Sequence, residues 1–161
     1  MKAEKLEYWL QIIALFGVVG SLIFVGLQMK QDREIALSEI WQTRTATLVE
    51  NSSSAASNEI LLSALAKSAS GRLAEITPVE EEAGRFYMWA AMYMWENSHY
   101  QYMLGFVPDE HWMRVRGGIK AELKDPFRGP LMRDISTRMR PAFRAVVEEI
   151  DRELVAERNQ H

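Results

Sequence analysis

The chain of 161 residues is long enough for one compact domain and a membrane anchor, and it contains no cysteine. The absence of cysteine excludes a disulfide framework, a thiolate nucleophile and a thiolate-based zinc or iron–sulfur site. The formal net charge of −3 gives no indication of nucleic-acid binding, and no recognisable nucleic-acid-binding module is present.

The first element is an apolar stretch near the N-terminus, from residue 9 to residue 29. It contains no charged residue, and its polar side chains are those of Gln11, Ser21 and Gln28. At about 1.5 Å per residue, roughly twenty helical residues cross a hydrocarbon layer of about 30 Å. We therefore predict a membrane anchor over residues 1–29, with the span over about 9–29.

A cleaved secretory signal and a buried core helix are the two alternatives for this stretch. The apolar run is longer than an ordinary signal core and is followed by no small-x-small cleavage pattern, which favours an uncleaved anchor. Tyr8 and Trp9 stand where an interfacial aromatic belt is expected. Lys30 directly follows the span and completes the set of predicted interfacial anchors.

The charges that flank the span weakly favour one orientation. The basic residues are Lys2 and Lys5 before the span, and Lys30, Arg33 and Arg44 after it. Because the more basic flank tends to stay in the cytoplasm, we expect a cytoplasmic C-terminal domain.

The small residues Gly17, Gly20 and Ser21 lie close together inside the span. Gly17 and Ser21 form a small-xxx-small pair, which lets two membrane helices approach closely. We predict a helix–helix contact at these residues, either with a second copy or with a larger membrane protein. The alternative is ordinary composition, since glycine is common in membrane helices.

The rest of the chain is patterned as helix, and no segment shows the alternation of a half-buried strand. We predict an all-α fold in which the membrane helix continues as a rod over residues 30–51 into a soluble helical domain, residues 52–161. The small polar stretch 51–58 is predicted to break the rod. Five further helices are expected at about 59–70, 78–104, 109–124, 130–139 and from 141 onward.

Thr77-Pro78-Val79-Glu80 is the clearest helix start in the chain. Thr77 fits an N-cap, Pro78 the first helical position and Glu80 the third, as in a capping box. The helix that follows is densely apolar and aromatic, which is typical of a helix wrapped by others. Its charges leave runs of only about ten uncharged residues, too short for a second span.

One pattern in this central helix has the spacing of a metal site. Glu96 and His99 stand three residues apart, as in carboxylate-bridged di-iron bundles, but such a site needs a second pair and two further glutamates. We therefore assign no metal, cofactor or catalytic residue. Glu96, His99 and Tyr100 are predicted to form either a ligand-binding cluster or a buried, hydrogen-bonded polar cluster. No nucleophile elbow, phosphate loop or dinucleotide fingerprint is present, which favours a non-enzymatic function.

Charge is unevenly distributed, with acids dominating residues 50–82 and bases dominating residues 114–144. A basic surface beside a membrane gains about 1 kcal/mol per Lys or Arg from anionic lipid. The same surface could meet the acidic half of a partner or of a second copy, or its charges could pair internally. The candidate residues are Arg114, Arg116, Lys120, Lys124, Arg128, Arg133 and Arg140.

The exit of the span, Ser21-Leu-Ile-Phe-Val-Gly-Leu-Gln-Met-Lys-Gln, resembles a group of short, uncharacterised bacterial proteins with a single N-terminal membrane helix. The pattern between Trp95 and Trp112 is similar to their soluble part. The resemblance implies a single-pass topology in a bacterial inner membrane, and it implies no activity.

These features predict a non-enzymatic, single-pass membrane protein that serves as an accessory or self-assembling subunit. Its expected contacts are membrane lipid and a membrane-protein partner or a second copy. The alternative is a membrane-tethered binding module, in which the aromatic and Met-rich helix lines a pocket for an apolar or lipid-like ligand. A membrane-tethered enzyme is the least favoured hypothesis.

Overall fold

The computed structural model describes residues 2–159, with side-chain surroundings described for residues 8–159. Residue 1 of the predicted anchor and residues 160–161 of the predicted soluble domain lie outside the described residues. Six α-helices and one short 3₁₀ turn make up the secondary structure of this part of the chain, without any strand. The elements are α1 Lys2–Ser57, α2 Glu59–Ala69, the 3₁₀ turn Leu73–Glu75, α3 Pro78–Met103, α4 Asp109–Lys124, α5 Arg128–Ser136 and α6 Pro141–Arg158.

The predicted fold class is confirmed, since a long apolar N-terminal helix is followed by five further helices. By internal contacts the chain forms two units, Met1–Leu48 and Val49–His161. In the first unit, α1 is long and apolar enough to cross a membrane. None of its most apolar window is buried by the rest of the chain, and Phe16 and Leu22 are 73% and 68% exposed.

The helix α1 ends later than predicted, so the expected break at residues 51–58 was wrong except for its last residue. The Ser57 hydroxyl donates a hydrogen bond to the Ser53 carbonyl oxygen at 2.9 Å. Small hydroxyl side chains that bond back to the preceding turn are compatible with a helix, and alanine has the highest helix propensity. The break falls at Asn58, whose side chain caps α2 by accepting from the Leu61 N–H at 3.0 Å.

The capping box at the start of α3 is confirmed. The Thr77 hydroxyl accepts from the Glu80 N–H at 3.3 Å, and a Glu80 carboxylate oxygen accepts from the Thr77 N–H at 2.7 Å. The same carboxylate binds the Lys67 ammonium at 2.7 Å and the Ser63 hydroxyl at 2.6 Å. These bonds, led by the one from Lys67, lower the pKa of Glu80 to about 2. The cap therefore also fastens α2 to α3.

The core of the second unit is organised around α3, which contacts α2, α4, α5 and α6. Met88 and Met92 of α3 are completely buried, and they lie in one cluster with Ile119, Met132 and Phe143 of the other helices. Each such side chain contributes about 1.5–3 kcal/mol of transfer free energy. The predicted position of this helix at the centre of the domain is confirmed.

Gly84 makes the close approach of α3 to the start of α5 possible. A Cβ atom at this position would lie 2.4 Å from the ring of Phe127, which is closer than carbon atoms can approach. Glycine is therefore needed here for its lack of a side chain. Its backbone conformation is that of an ordinary helix, which any residue could adopt.

The helices α4 and α5 compare differently with their predicted bounds. The helix α4 begins at Asp109 and ends at Lys124, as predicted, and it continues unbroken through Gly117 and Gly118. The helix α5 ends at Ser136, three residues before the predicted end at Met139.

Candidate functional site

The predicted polar cluster lies on the C-terminal half of α3, next to the beginning of α6. A carboxylate oxygen of Glu96 accepts a hydrogen bond from the backbone N–H of Arg140 at 2.6 Å. Arg140 is the N-cap residue of α6, and its own side chain makes no capping bond. A carboxylate that accepts from the N-cap N–H is one half of a capping box, here supplied by another helix. Glu96 thus stabilises the start of α6, where the helix dipole also favours a negative charge.

His99 is packed among aromatic rings. Its ring centroid lies 5.1 Å from that of Trp112 and 5.9 Å from that of Phe143, and Tyr102 stacks on Trp112 at 5.4 Å. Burial lowers the pKa of the His99 imidazole, and the charge of Glu96 opposes this shift. Over the described residues, no group of three or more His, Asp or Glu side chains is arranged to hold a metal ion.

Tyr100, the third residue of the predicted cluster, is half exposed. The guanidinium carbon of Arg140 lies 5.1 Å from the centroid of its ring, in a cation–π contact. Arg140 therefore links Glu96, through its backbone, to Tyr100, through its side chain. Arg140, which the sequence assigns to the basic surface, thus contacts two of the three residues of the predicted cluster.

The ligand-binding alternative requires the methionines of α3 to line a pocket, but Met88 and Met92 are fully buried in the core. A cleft of about 680 Å³ lies elsewhere, where α4 ends and α5 begins, against the end of α6. Sequence reasoning missed this cleft, although two prolines mark its place: Pro126 lies in the turn between α4 and α5, and Pro130 lies in the first turn of α5. Its lining mixes apolar with oppositely charged side chains: Leu123, Lys124, Asp125, Pro126, Pro130, Arg133, Leu154, Glu157 and Arg158.

The basic residues of α4 pair with acidic residues of α6. Arg116 contacts the Glu153 carboxylate at 2.7 Å and the Glu149 carboxylate at 3.2 Å. Lys120 binds Glu157, and this hydrogen bond raises the pKa of Lys120 and lowers the pKa of Glu157. Both sets are spaced by four residues and so lie along facing helical rows. We call the set Arg116, Lys120, Lys124, Glu149, Glu153 and Glu157 the α4–α6 ladder.

The remaining basic candidates also have partners inside the domain. Arg133 binds Asp151 through two nitrogens, at 2.7 and 3.0 Å, which raises the pKa of Arg133 and lowers the pKa of Asp151. Arg128 contacts Glu122 at 2.8 Å and Asp125 at 2.9 Å. Arg114 reaches Glu110 at 3.5 Å, on a fully solvated face. These contacts favour internal ion pairing over a free basic surface.

The predicted membrane residues show open surroundings. A Cβ atom at Gly17 or Gly20 would meet nothing within 4 Å, and the Ser21 hydroxyl donates to the Gly17 carbonyl oxygen at 2.8 Å. Tyr8 and Trp9 are 62% and 61% exposed, with their rings edge to face at 6.5 Å. Lys30 forms a loose pair with Glu34 at 3.9 Å.

One face of α3 departs from the expectation of a helix covered all round. Val79, Phe86, Tyr93 and Tyr100 follow one another at seven-residue steps, and all four are exposed. Seven residues make about two helical turns, so these side chains form one line on the helix. Periodicity could not reveal this line, because apolar residues occur on every face of α3.

The contacts of Glu96, His99 and Tyr100 are a helix cap, ring packing and a cation–π contact, all made within the domain. Compared with known proteins, the chain matches no protein-family model, no curated protein and no solved structure.

Proposed function

We propose that the chain is a single-pass membrane protein and that it acts as a non-enzymatic interaction or structural subunit at the membrane. The observation that carries this proposal is the exposure of the apolar window of α1. Twelve large apolar side chains between Leu10 and Met29 are exposed, each 46% or more. Full burial of such a side chain is worth about 1.5–3 kcal/mol and each is 46–73% exposed, so covering all twelve is worth roughly 10–20 kcal/mol. This matches or exceeds the typical stability of a domain, about 5–15 kcal/mol.

The polar groups of this window support a bilayer as the covering medium. A membrane helix has to satisfy its hydrogen bonds within itself, because lipid tails offer none. The bond from Ser21 to the Gly17 carbonyl meets this requirement. The core-helix alternative lacks a protein surface that buries the window.

The subunit role is supported by how the polar side chains of the helical domain are used. Glu80 and Glu96 cap helices, His99 packs between rings, and the ladder joins α4 to α6. These side chains stabilise the packing of the helices against one another. A packed helical domain on a membrane anchor is suited to holding a position beside another protein.

Membrane fractionation of the full chain with a C-terminal tag tests the anchor. The wild type is expected in the membrane fraction after a carbonate wash, at the size of the uncleaved chain. Val19→Arg with Leu22→Arg places two charges in the span, at about 2.5–3.5 kcal/mol each, and should move the protein out of the membrane. The matched control is Ile35→Arg with Leu48→Arg, two exposed apolar positions of α1 outside the span, which should stay in the membrane fraction.

Two results would overturn the anchor: a wild-type chain in the soluble fraction, or a shorter mature band from a cleaved signal.

A reporter fused to the C-terminus tests orientation, and a cytoplasmic signal in a bacterial inner membrane is expected. Chemical cross-linking in intact membranes tests the subunit role. A specific cross-linked neighbour or second copy is expected, whereas a lone monomer in every condition would contradict that role.

A further inference from the structure

We draw no further inference here: the strongest candidate, the row of exposed apolar side chains on α3 from Val79 to Tyr100, is an unpartnered helix face, and nothing in the structure shows what covers it.

Discussion

The helices α1 and α3 are both long and rich in apolar side chains, yet they differ in how far the rest of the chain buries them. The most apolar window of α1 is buried nowhere, whereas α3 contacts four other helices and buries Met88 and Met92 completely. Apolar content alone therefore does not decide whether a helix is buried by the rest of the chain.

The charged side chains make the distinction. The window of α1 contains none, and its Ser21 bonds to the Gly17 carbonyl oxygen of its own helix, as Ser98 of α3 bonds to that of Met94. In α3, Glu80 binds Lys67 of α2, and Glu96 binds the start of α6. A helix in lipid has to satisfy its hydrogen bonds within itself, whereas the polar side chains of a core helix can bind neighbouring helices.

The largest expected effect compares one side chain from each helix. Met92→Ala removes a fully buried side chain and should lower the free energy of unfolding by about 2–5 kcal/mol. Val19→Ala in α1 removes atoms without protein neighbours and should change it by less than about 0.5 kcal/mol. Tryptophan fluorescence during urea unfolding in detergent measures both. Equal losses would mean that the α1 window is packed against protein after all.

The second effect concerns the acid sensitivity of the α2–α3 junction. The folded-state pKa of Glu80, about 2, lies below its usual value. The stabilisation is therefore complete above the usual pKa of a glutamate, about 4.3, and is lost as the pH falls toward 2. In Glu80→Gln the unfolding midpoint should be lower at neutral pH and should depend less on pH between about 5 and 2.

The control for this experiment is Glu59→Gln, which neutralises an exposed carboxylate of α2. It should reproduce the wild-type pH profile. If both variants kept that profile, Glu80 would not be the group that links α2 to α3 in acid.

The start of α3 could be predicted from sequence because its cause is local. Thr77, Pro78 and Glu80 act within one turn, and the structure repeats their pattern. The same reasoning misplaced the end of α1, since serines such as Ser57 satisfy their hydroxyls inside a helix as readily as in a turn. Short polar stretches therefore indicate a break less reliably than a capping box indicates a start.

The use of the basic residues depends on contacts distant in sequence. A charge count that stops at residue 144 omits the ladder acids Glu149, Glu153 and Glu157, which pair with α4. Their four-residue spacing matches that of Arg116 and Lys120, and this matching is the signal that sequence reasoning could have found. The exposure of Val79, Phe86, Tyr93 and Tyr100 on α3 carries no comparable signal, because tertiary packing alone decides which face of an apolar helix is left uncovered.

The smallest expected effect tests whether charge can join helices as apolar packing does in α3. Arg116 is 19% exposed and contacts two carboxylates across helices, so Arg116→Gln should cost up to about 1 kcal/mol of unfolding free energy, less at high salt. Arg114 and Glu110 are 70% and 86% exposed and pair within one turn of α4, so Arg114→Gln should cost close to nothing. Urea unfolding at low and high ionic strength measures the difference. Losses of unfolding free energy that are equal for the two variants, or independent of salt, would mean that the ladder adds no stability. The contact between α4 and α6 would then depend on apolar side chains such as Ile119 and Val147.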